Sequence, residues 1–251
     1  MTTQPRAAAC TLDVIAGGRI RLYQHKHGYR FSMDPVFIAH FLDPAPESTG
    51  LDAGTGCGII PLLLTDRHPQ IRYIHAVEIQ PNLAALAEKN VRLNNAENRI
   101  QIHHGDVLSH AGMQSIGPVD WIISNPPFYT PDSGRISPCQ EKALANHAFT
   151  LPMERLVRTC RDRLSPDGQA ATIYPANRTD ELIRAITASG GHIHRLRFIR
   201  AHADAPDQRV MIAFGFPAPG AALPNCKKEA PLVVYQQGSL QLTGEAAGYY
   251  R

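Results

Sequence analysis

The chain reads as an α/β protein with an open, mostly parallel sheet and helices on both faces. Three observations predict this. Short β-rich runs alternate with helical stretches from residue 50 onward, a glycine-rich turn follows the first of those runs, and an acid stands at the end of each of the first three.

Taken in order, Ile20-Arg21-Leu22-Tyr23 is a short strand or part of a hairpin. Asp34–Phe41 starts a helix, with Asp34 as its cap and Pro35 at its first position. Ser48–Ala53 reads as a strand, Ile59–Arg67 as a helix and Ile71–Glu78 as a strand. Pro81–Asn94 has apolar residues at helical spacing, and Pro81 suits a first turn. Ile100–His104 and Val119–Ser124 are further strands. Thr150–Leu164 is helical and stops at the turn signal Ser165-Pro-Asp-Gly, which leads into the strand Gln169–Tyr174. Arg178–Ser189 is a helix ended by Gly190-Gly191. His194–Ile199 and Gln208–Phe216 form an antiparallel hairpin across Ala201–Pro206, and a Pro-, Gly- and Ala-rich tail begins at Pro217. Three segments follow: residues 1–45, an N-terminal strand and helix; residues 46–217, the α/β domain; and residues 218–251, a C-terminal extension.

Bulk composition narrows the function classes. With 251 residues, 43% apolar and 19% charged, the chain can bury a full core, and no apolar run reaches the roughly 18 residues of a membrane span. The N-terminus lacks a signal-peptide core, so a cytoplasmic location is expected. The five cysteines are scattered, with no C-x-x-C, which speaks for reduced thiols and against a disulfide framework or a zinc site. The twelve histidines form no ligand motif, and no metal is expected. A net charge of +3 is compatible with a polyanionic partner without requiring one. Membrane association is not expected, and both monomer and homodimer remain open.

The chemistry concentrates at the strand ends. In Leu51-Asp-Ala-Gly-Thr-Gly-Cys-Gly58 the glycines let the backbone approach a ligand at the end of the sheet. Phosphate-binding dinucleotide turns read G-x-G-x-x-G; here the spacing is D-x-G-x-G-x-G, and the acid Asp52 would repel a pyrophosphate and suit a cation. Glu78 ends the second strand about twenty residues further on, where a carboxylate accepts hydrogen bonds from ribose hydroxyls. Gly105-Asp106 follows the third, placing an acid within reach of an adenine amino group. Together they describe a pocket for a cationic nucleoside cofactor.

After the fourth strand comes Ser124-Asn-Pro-Pro-Phe128. Proline cannot extend a ladder, so the stretch is at least a forced turn. With a cofactor beside it, the turn becomes a slot. The side-chain carbonyl of Asn125 and the backbone carbonyl of Pro126, held still by the rigid Pro126-Pro127 pair, accept from the two N–H groups of a planar amine, while Phe128 offers a stacking face.

These motifs, Asp52–Gly58, Val77-Glu-Ile79, Gly105-Asp106 and Asn125–Phe128, together resemble those of class I S-adenosylmethionine-dependent methyltransferases that methylate exocyclic or amide nitrogen. The likeness covers roughly residues 30 to 216. Within that branch, Gln24–Asp34, Ser133–Pro138, Glu141-Lys-Ala, Asn146-His-Ala, Arg195–Ile199 and Pro231–Tyr235 are similar to bacterial tRNA1(Val) adenine-N6 methyltransferases, which act on adenine 37. The resemblance implies a Rossmann-like seven-stranded sheet, mostly parallel with a C-terminal antiparallel hairpin, with S-adenosylmethionine as cofactor and tRNA as substrate. It also implies roles. Asp52 with Gly54, Thr55, Gly56 and Gly58 holds the methionine part, and Glu78 with Ile79 the ribose. Asp106 with Val107 holds the adenine, and Arg30, Phe31 and Ser32 close over the cofactor. Asn125 belongs to both the cofactor and the catalytic set, and Arg135, Lys142, His147 and Arg197 contact RNA; Arg195, Arg200, Lys227 and Lys228 are further candidates for phosphate.

Phe128 stands where Tyr is commoner and also occurs in guanine-N2 rRNA methyltransferases, so guanine is an alternative target. Glutamine-N5 protein methyltransferases use the same slot but carry an N-terminal helical domain for which residues 1 to 30 are too short. A cofactor-binding RNA module without activity is the non-catalytic alternative; an intact Asn125–Phe128 motif argues against it.

Overall fold

The computed structural model describes residues 9–26, 30–109, 113, 115–127, 152–218, 220, 223 and 225–251. An N-terminal hairpin of β1 (Cys10–Ile15) and β2 (Ile20–His25) precedes α1 (Asp34–Phe41). The alternating body follows as β3 (Thr49–Ala53), α2 (Ile59–Arg67), β4 (Tyr73–Glu78), α3 (Pro81–Leu93), β5 (Ile100–His104) and β6 (Val119–Ser124). It continues as α4 (Met153–Arg163), β7 (Leu164–Pro175), α5 (Thr179–Ala188), β8 (His192–Arg200) and β9 (Asp207–Gly215). The tail adds β10 (Lys227–Lys228), β11 (Leu232–Val233) and the short helix α6 (Gly244–Gly248).

The main sheet runs β8-β9-β7-β6-β3-β4-β5, with β9 antiparallel to both its neighbours and the other pairings parallel. β10 and β11 pair with the outer edge of β8 at different residues, extending the seven expected strands by two very short ones. From β3 the chain winds outward through β4 to β5, then returns to β6 on the other side of β3. The crevice between the ends of β3 and β6 is therefore the topological switch point, where open α/β sheets bind ligands.

Alternation along the strands divides the interior. Trp121 and Ile123 of β6 face a core shared with α1, α2 and α3, whereas Ile122 between them faces a second core formed with α4 and α5. The first core also takes Leu22 from the hairpin and Leu232 and Val234 from the tail. Both ends of the chain thus pack on the same face of the sheet.

One contact in this core has a large energetic margin. A Cβ placed on Gly50 of β3 would lie 2.0 Å from the ring of Trp121, which is fully buried and donates from Nε1 to Ser48 Oγ at 3.0 Å. Gly50→Ala is expected to cost about 3 kcal/mol by overpacking and to lower the melting temperature by roughly 6–12 °C. A thermal melt within a degree of the native protein would show that the ring can move aside.

Two local expectations are corrected. The helix cap of α1 is Met33, and Asp34 is its first residue. The Asp34 carboxylate is drawn instead to Arg209 Nε on β9 at 3.1 Å, while the Asp34 N–H donates to Ser32 Oγ at 3.2 Å. Ser165-Pro-Asp-Gly is not a turn before β7 but a bulge within it. Val119 pairs with Leu164 and Trp121 with Gln169, and the extra residues are absorbed with Asp167 at φ 65°.

Candidate active site

β3 delivers Asp52 to the switch point at zero exposure, in register with Ile123 of β6 and Ala76 of β4. Beyond it the chain turns through Gly54, Gly56 and Gly58 at φ 85°, 59° and 84°, a left-handed run that side-chain-bearing residues resist. The Gly54 and Thr55 N–H groups both donate to the Val77 carbonyl at 3.0 Å, which ties the turn to the end of β4. A Cβ on Gly58 would come within 3.3 Å of Ala87 Cβ, so this last glycine lets α3 close on the turn.

Glu78 is buried at the end of β4. Its Oε2 accepts the Gly56 N–H at 2.8 Å and its Oε1 the Gln80 N–H at 2.9 Å. An ionised carboxylate has about four lone-pair sites. Two remain, enough for a pair of vicinal hydroxyls. Burial raises the Glu78 carboxyl above the ordinary carboxylate range, and the N–H groups of Gln80, Gly56 and Ile79 oppose this. Asp106, half-buried past β5, turns one oxygen to the Leu108 N–H at 2.8 Å; Val107 beside it is buried in the second core.

At the end of β6 the Ser124 hydroxyl donates to the Ala53 carbonyl at 2.8 Å, pinning the start of Asn125-Pro126-Pro127 against the glycine turn. The buried polar atoms left over are informative. Among the described residues, Asp52 Oδ1 and Oδ2, Thr55 Oγ1 and Asn125 Oδ1 have no hydrogen-bond partner. Buried polar groups are almost always paired, and an unmade partner costs about 1–3 kcal/mol each. Four such atoms at the ends of two neighbouring strands mark a ligand site whose occupant brings donors and, for Asp52, positive charge. Burial pushes the Asp52 carboxyl up to about 7; the Thr55 hydroxyl, close to the carboxylate but outside hydrogen-bonding geometry, opposes the rise, and the neighbouring Glu78 adds to it. This donor-hungry set fits S-adenosylmethionine, a cation with an α-ammonium, a sulfonium and a ribose diol.

The segment expected to cover the cofactor is braced from outside. Arg30 donates to Thr11 Oγ1 at 2.7 Å and to Asp13 Oδ2 at 2.8 Å, and the Phe31 N–H to Gln24 Oε1 at 3.0 Å. The side chains of Arg30 and Ser32 thus support the segment, and Phe31 packs on the core.

The expected RNA contacts fare differently. Phe128, Arg135, Lys142 and His147 lie outside the described residues. The Arg197 guanidinium donates to the Ala230 carbonyl at 2.9 Å, the Tyr249 hydroxyl at 3.0 Å and Glu245 at 2.7 Å, and so clamps the C-terminal extension onto β8. Arg195 covers the Phe41 ring at 4.1 Å and faces Glu229 at 3.8 Å, and Arg200 pairs with Asp207 at 2.6 Å. Lys227 faces Glu229 at 3.4 Å, and Lys228 lies 5.8 Å over the Phe198 ring. Arg195 and Arg197 of β8 thus hold the tail, whereas Arg200 is tied to β9.

Sequence reasoning also missed Ser124 and Asn90. Asn90 is a buried polar residue within the apolar spacing of α3, and that placement was the available signal. Among the described residues no group of three or more His, Cys, Asp or Glu could hold a metal ion, and no helix is long and apolar enough to cross a membrane. Cys57 and Cys160 are free and buried, and burial pushes both thiols up to about 12.

Comparison with known proteins agrees with this geometry. Residues 34–184 match the family model described as methyltransferase small domain. A tRNA1(Val) (adenine(37)-N6)-methyltransferase of Porphyromonas gingivalis (strain ATCC 33277) is 39% identical over 177 residues, covering 68% of each chain. The protein of the same name in Vibrio vulnificus (strain YJ016) is 29% identical over 188 residues, covering 75% of this chain and 76% of its own. Among solved structures, one described as a predicted O-methyltransferase from Agrobacterium tumefaciens superposes with a TM-score of 0.66 at 18% identity, over 87% of this chain and 95% of its own. A tRNA m1G37 methyltransferase of M. jannaschii superposes with a TM-score of 0.59 at 15% identity, over 85% and 56%. With a family model spanning more than half the chain and a switch-point site that fits its chemistry, this chain belongs to the methyltransferase small domain family.

Proposed function

We propose that the protein transfers the methyl group of S-adenosylmethionine to the exocyclic N6 of an adenine in tRNA, at position 37 of tRNA1(Val), in the cytoplasm. The observation that carries this reading is Asn125 Oδ1, a buried carbonyl oxygen without a partner at the end of β6, next to a carboxylate that calls for a cation. The names of the relatives support the choice of adenine and of tRNA.

An exocyclic amine is a weak nucleophile because its lone pair is delocalised into the ring. Asn125 Oδ1 and the Pro126 carbonyl accept its two N–H groups, drawing the nitrogen toward a tetrahedral shape with the lone pair aimed at the methyl. Phe128 supplies the face on which the base stacks. S-adenosylmethionine, when bound, would supply a sulfonium-activated methyl whose carbon–sulfur bond gives way as the carbon–nitrogen bond forms. Asp52 and Thr55 would hold the methionine part of the cofactor and Glu78 its ribose, and the surplus proton on the product nitrogen leaves to water. No base is needed before transfer. An adenine in a loop must be turned out of its stack to enter, which costs least where the strand is unpaired.

The test is labelling. The protein is incubated with methyl-labelled cofactor and total RNA from cells lacking it, and the RNA is digested to nucleosides. N6-methyladenosine confined to one tRNA is expected. N2-methylguanosine in rRNA would replace the adenine reading by the one Phe128 keeps open, and label confined to protein would overturn both.

A further inference from the structure

α3 carries Asn90 and is capped at its C-terminus, one turn on, by Asn94, and both asparagines pair with the backbone of β2. Asn90 Oδ1 accepts the Tyr23 N–H at 2.7 Å, and its Nδ2 donates to the Tyr23 carbonyl at 3.0 Å. Asn94 does the same with Arg21, at 3.0 Å and 2.6 Å. Residues two apart on a strand are separated by about 6.8 Å, and residues four apart on a helix by about 6 Å. The two carboxamides therefore repeat at nearly the strand interval, and they occupy the edge of β2 where a neighbouring strand would stand.

Asn90 makes one bond that Asn94 does not. Its Nδ2 also donates to the Cys57 carbonyl at 2.9 Å, within the glycine turn. From β2 the chain of contacts runs on through Gln24, whose Oε1 accepts the Phe31 N–H at 3.0 Å. Asp13 on β1 receives both Gln24 Nε2 and Arg30. An unbroken path, Cys57 to Asn90 to Tyr23 to Gln24 to Phe31, joins the floor of the cofactor pocket to the segment that covers it.

We propose that Asn90 is a positioning residue that sets the spacing between the glycine turn and residues 30–32, and through it cofactor affinity rather than the transfer step. The proposal rests on the methyltransferase reading above. Asn90 is fully buried and both its polar atoms are engaged, Oδ1 by one backbone N–H and Nδ2 by two backbone carbonyls. Aspartate has the same shape but would set an acceptor against the Tyr23 and Cys57 carbonyls.

The test compares Asn90→Asp with Asn94→Ala in the full chain. Calorimetry with S-adenosylhomocysteine, the KM and kcat for S-adenosylmethionine, and hydrogen exchange at the Tyr23 and Phe31 amides are read for each. For Asn90→Asp, a rise of at least tenfold in Kd and KM is expected, with kcat at saturation within twofold and a Phe31 amide that the ligand no longer protects. Asn94→Ala, which loosens the same strand edge without touching the turn, is expected to change Kd less than threefold. Equal Kd values for the two variants, or a loss in kcat with KM unchanged, would overturn the proposal. Should Asn90→Asp fail to fold, Gln24→Ala cuts the same path elsewhere, and unchanged affinity in that variant would overturn it equally. Native protein that does not bind S-adenosylhomocysteine would instead bring down the methyltransferase reading.

Discussion

Asn125→Ala is expected to lower methyl transfer by roughly 10²–10³-fold, the size of effect seen when one preorganised polar group of a reaction site is removed, while the Kd for S-adenosylmethionine moves less than threefold. The separation follows from the geometry. Asn125 Oδ1 is buried and has no partner among the described residues, so its removal takes nothing from the surrounding hydrogen bonds. The turn itself stays in place, because the Ser124 hydroxyl holds the Ala53 carbonyl at 2.8 Å and β6 is paired on both sides. What is lost is the acceptor that aligns the target amine, and that interaction is worth most when the nitrogen becomes tetrahedral. Single-turnover rates with purified tRNA, beside calorimetric affinity for the cofactor, measure the two quantities separately. Undiminished turnover would remove Asn125 from the catalytic slot; a parallel loss of affinity would move it to the cofactor pocket.

Asp52→Asn is expected to act in two opposite directions. The Asp52 carboxyl has an ordinary value of 3.8 and is raised to about 7 in the fold, chiefly by burial. Between those values the folded protein holds a proton that the unfolded chain gives up, so the contribution of this group to stability falls as pH rises from about 4 to about 7. The interval corresponds to a ceiling of roughly 4 kcal/mol at neutral to basic pH. Asparagine, which cannot ionise, escapes that cost. The ligand-free variant is therefore expected to melt several degrees higher than the native protein at pH 8 and with little difference at pH 4. Cofactor affinity goes the other way, because the carboxylate is the charge that a bound cation neutralises. A loss of about 2–3 kcal/mol, or roughly 30- to 150-fold in Kd, is expected. Native protein is also expected to release nearly a full proton on binding S-adenosylmethionine at pH 6 and almost none at pH 9, as read from calorimetry in buffers of different ionisation heat. A variant that melts no higher at pH 8, or binds as tightly as the native chain, would show that Asp52 is not a buried charge awaiting a cation.

These two side chains were legible before any coordinates because each sits at a strand end marked by punctuation: glycines after Asp52, prolines after Asn125. Glu78 was legible by distance from the turn. Strand and helix order in the body emerged from periodicity, and most boundaries agree within a few residues, since a buried parallel strand and an amphipathic helix carry opposite repeats. Where charged residues are concerned, the differences have a common cause. Asp34 was expected to cap its own helix, and it pairs with Arg209, 175 residues away in sequence. Arg197 was expected to face RNA, and it meets Tyr249 and Glu245. Lone charges in a sequence look solvated because their partners are remote.

By itself the sequence determined an α/β sheet, a glycine turn with an acid before it, and a proline-bound asparagine after the fourth strand, because local backbone demands and hydrophobic repeats are written in neighbouring residues. Only the tertiary structure decided that Asp52 and Asn125 flank one crevice with their polar atoms unpaired. It alone showed that the C-terminal extension packs along β8 and that Asn90 of α3 and Asn94 at its end stand in for a strand beside β2. Those are contacts between segments dozens of residues apart, where desolvation and pairing depend on what the rest of the chain brings alongside.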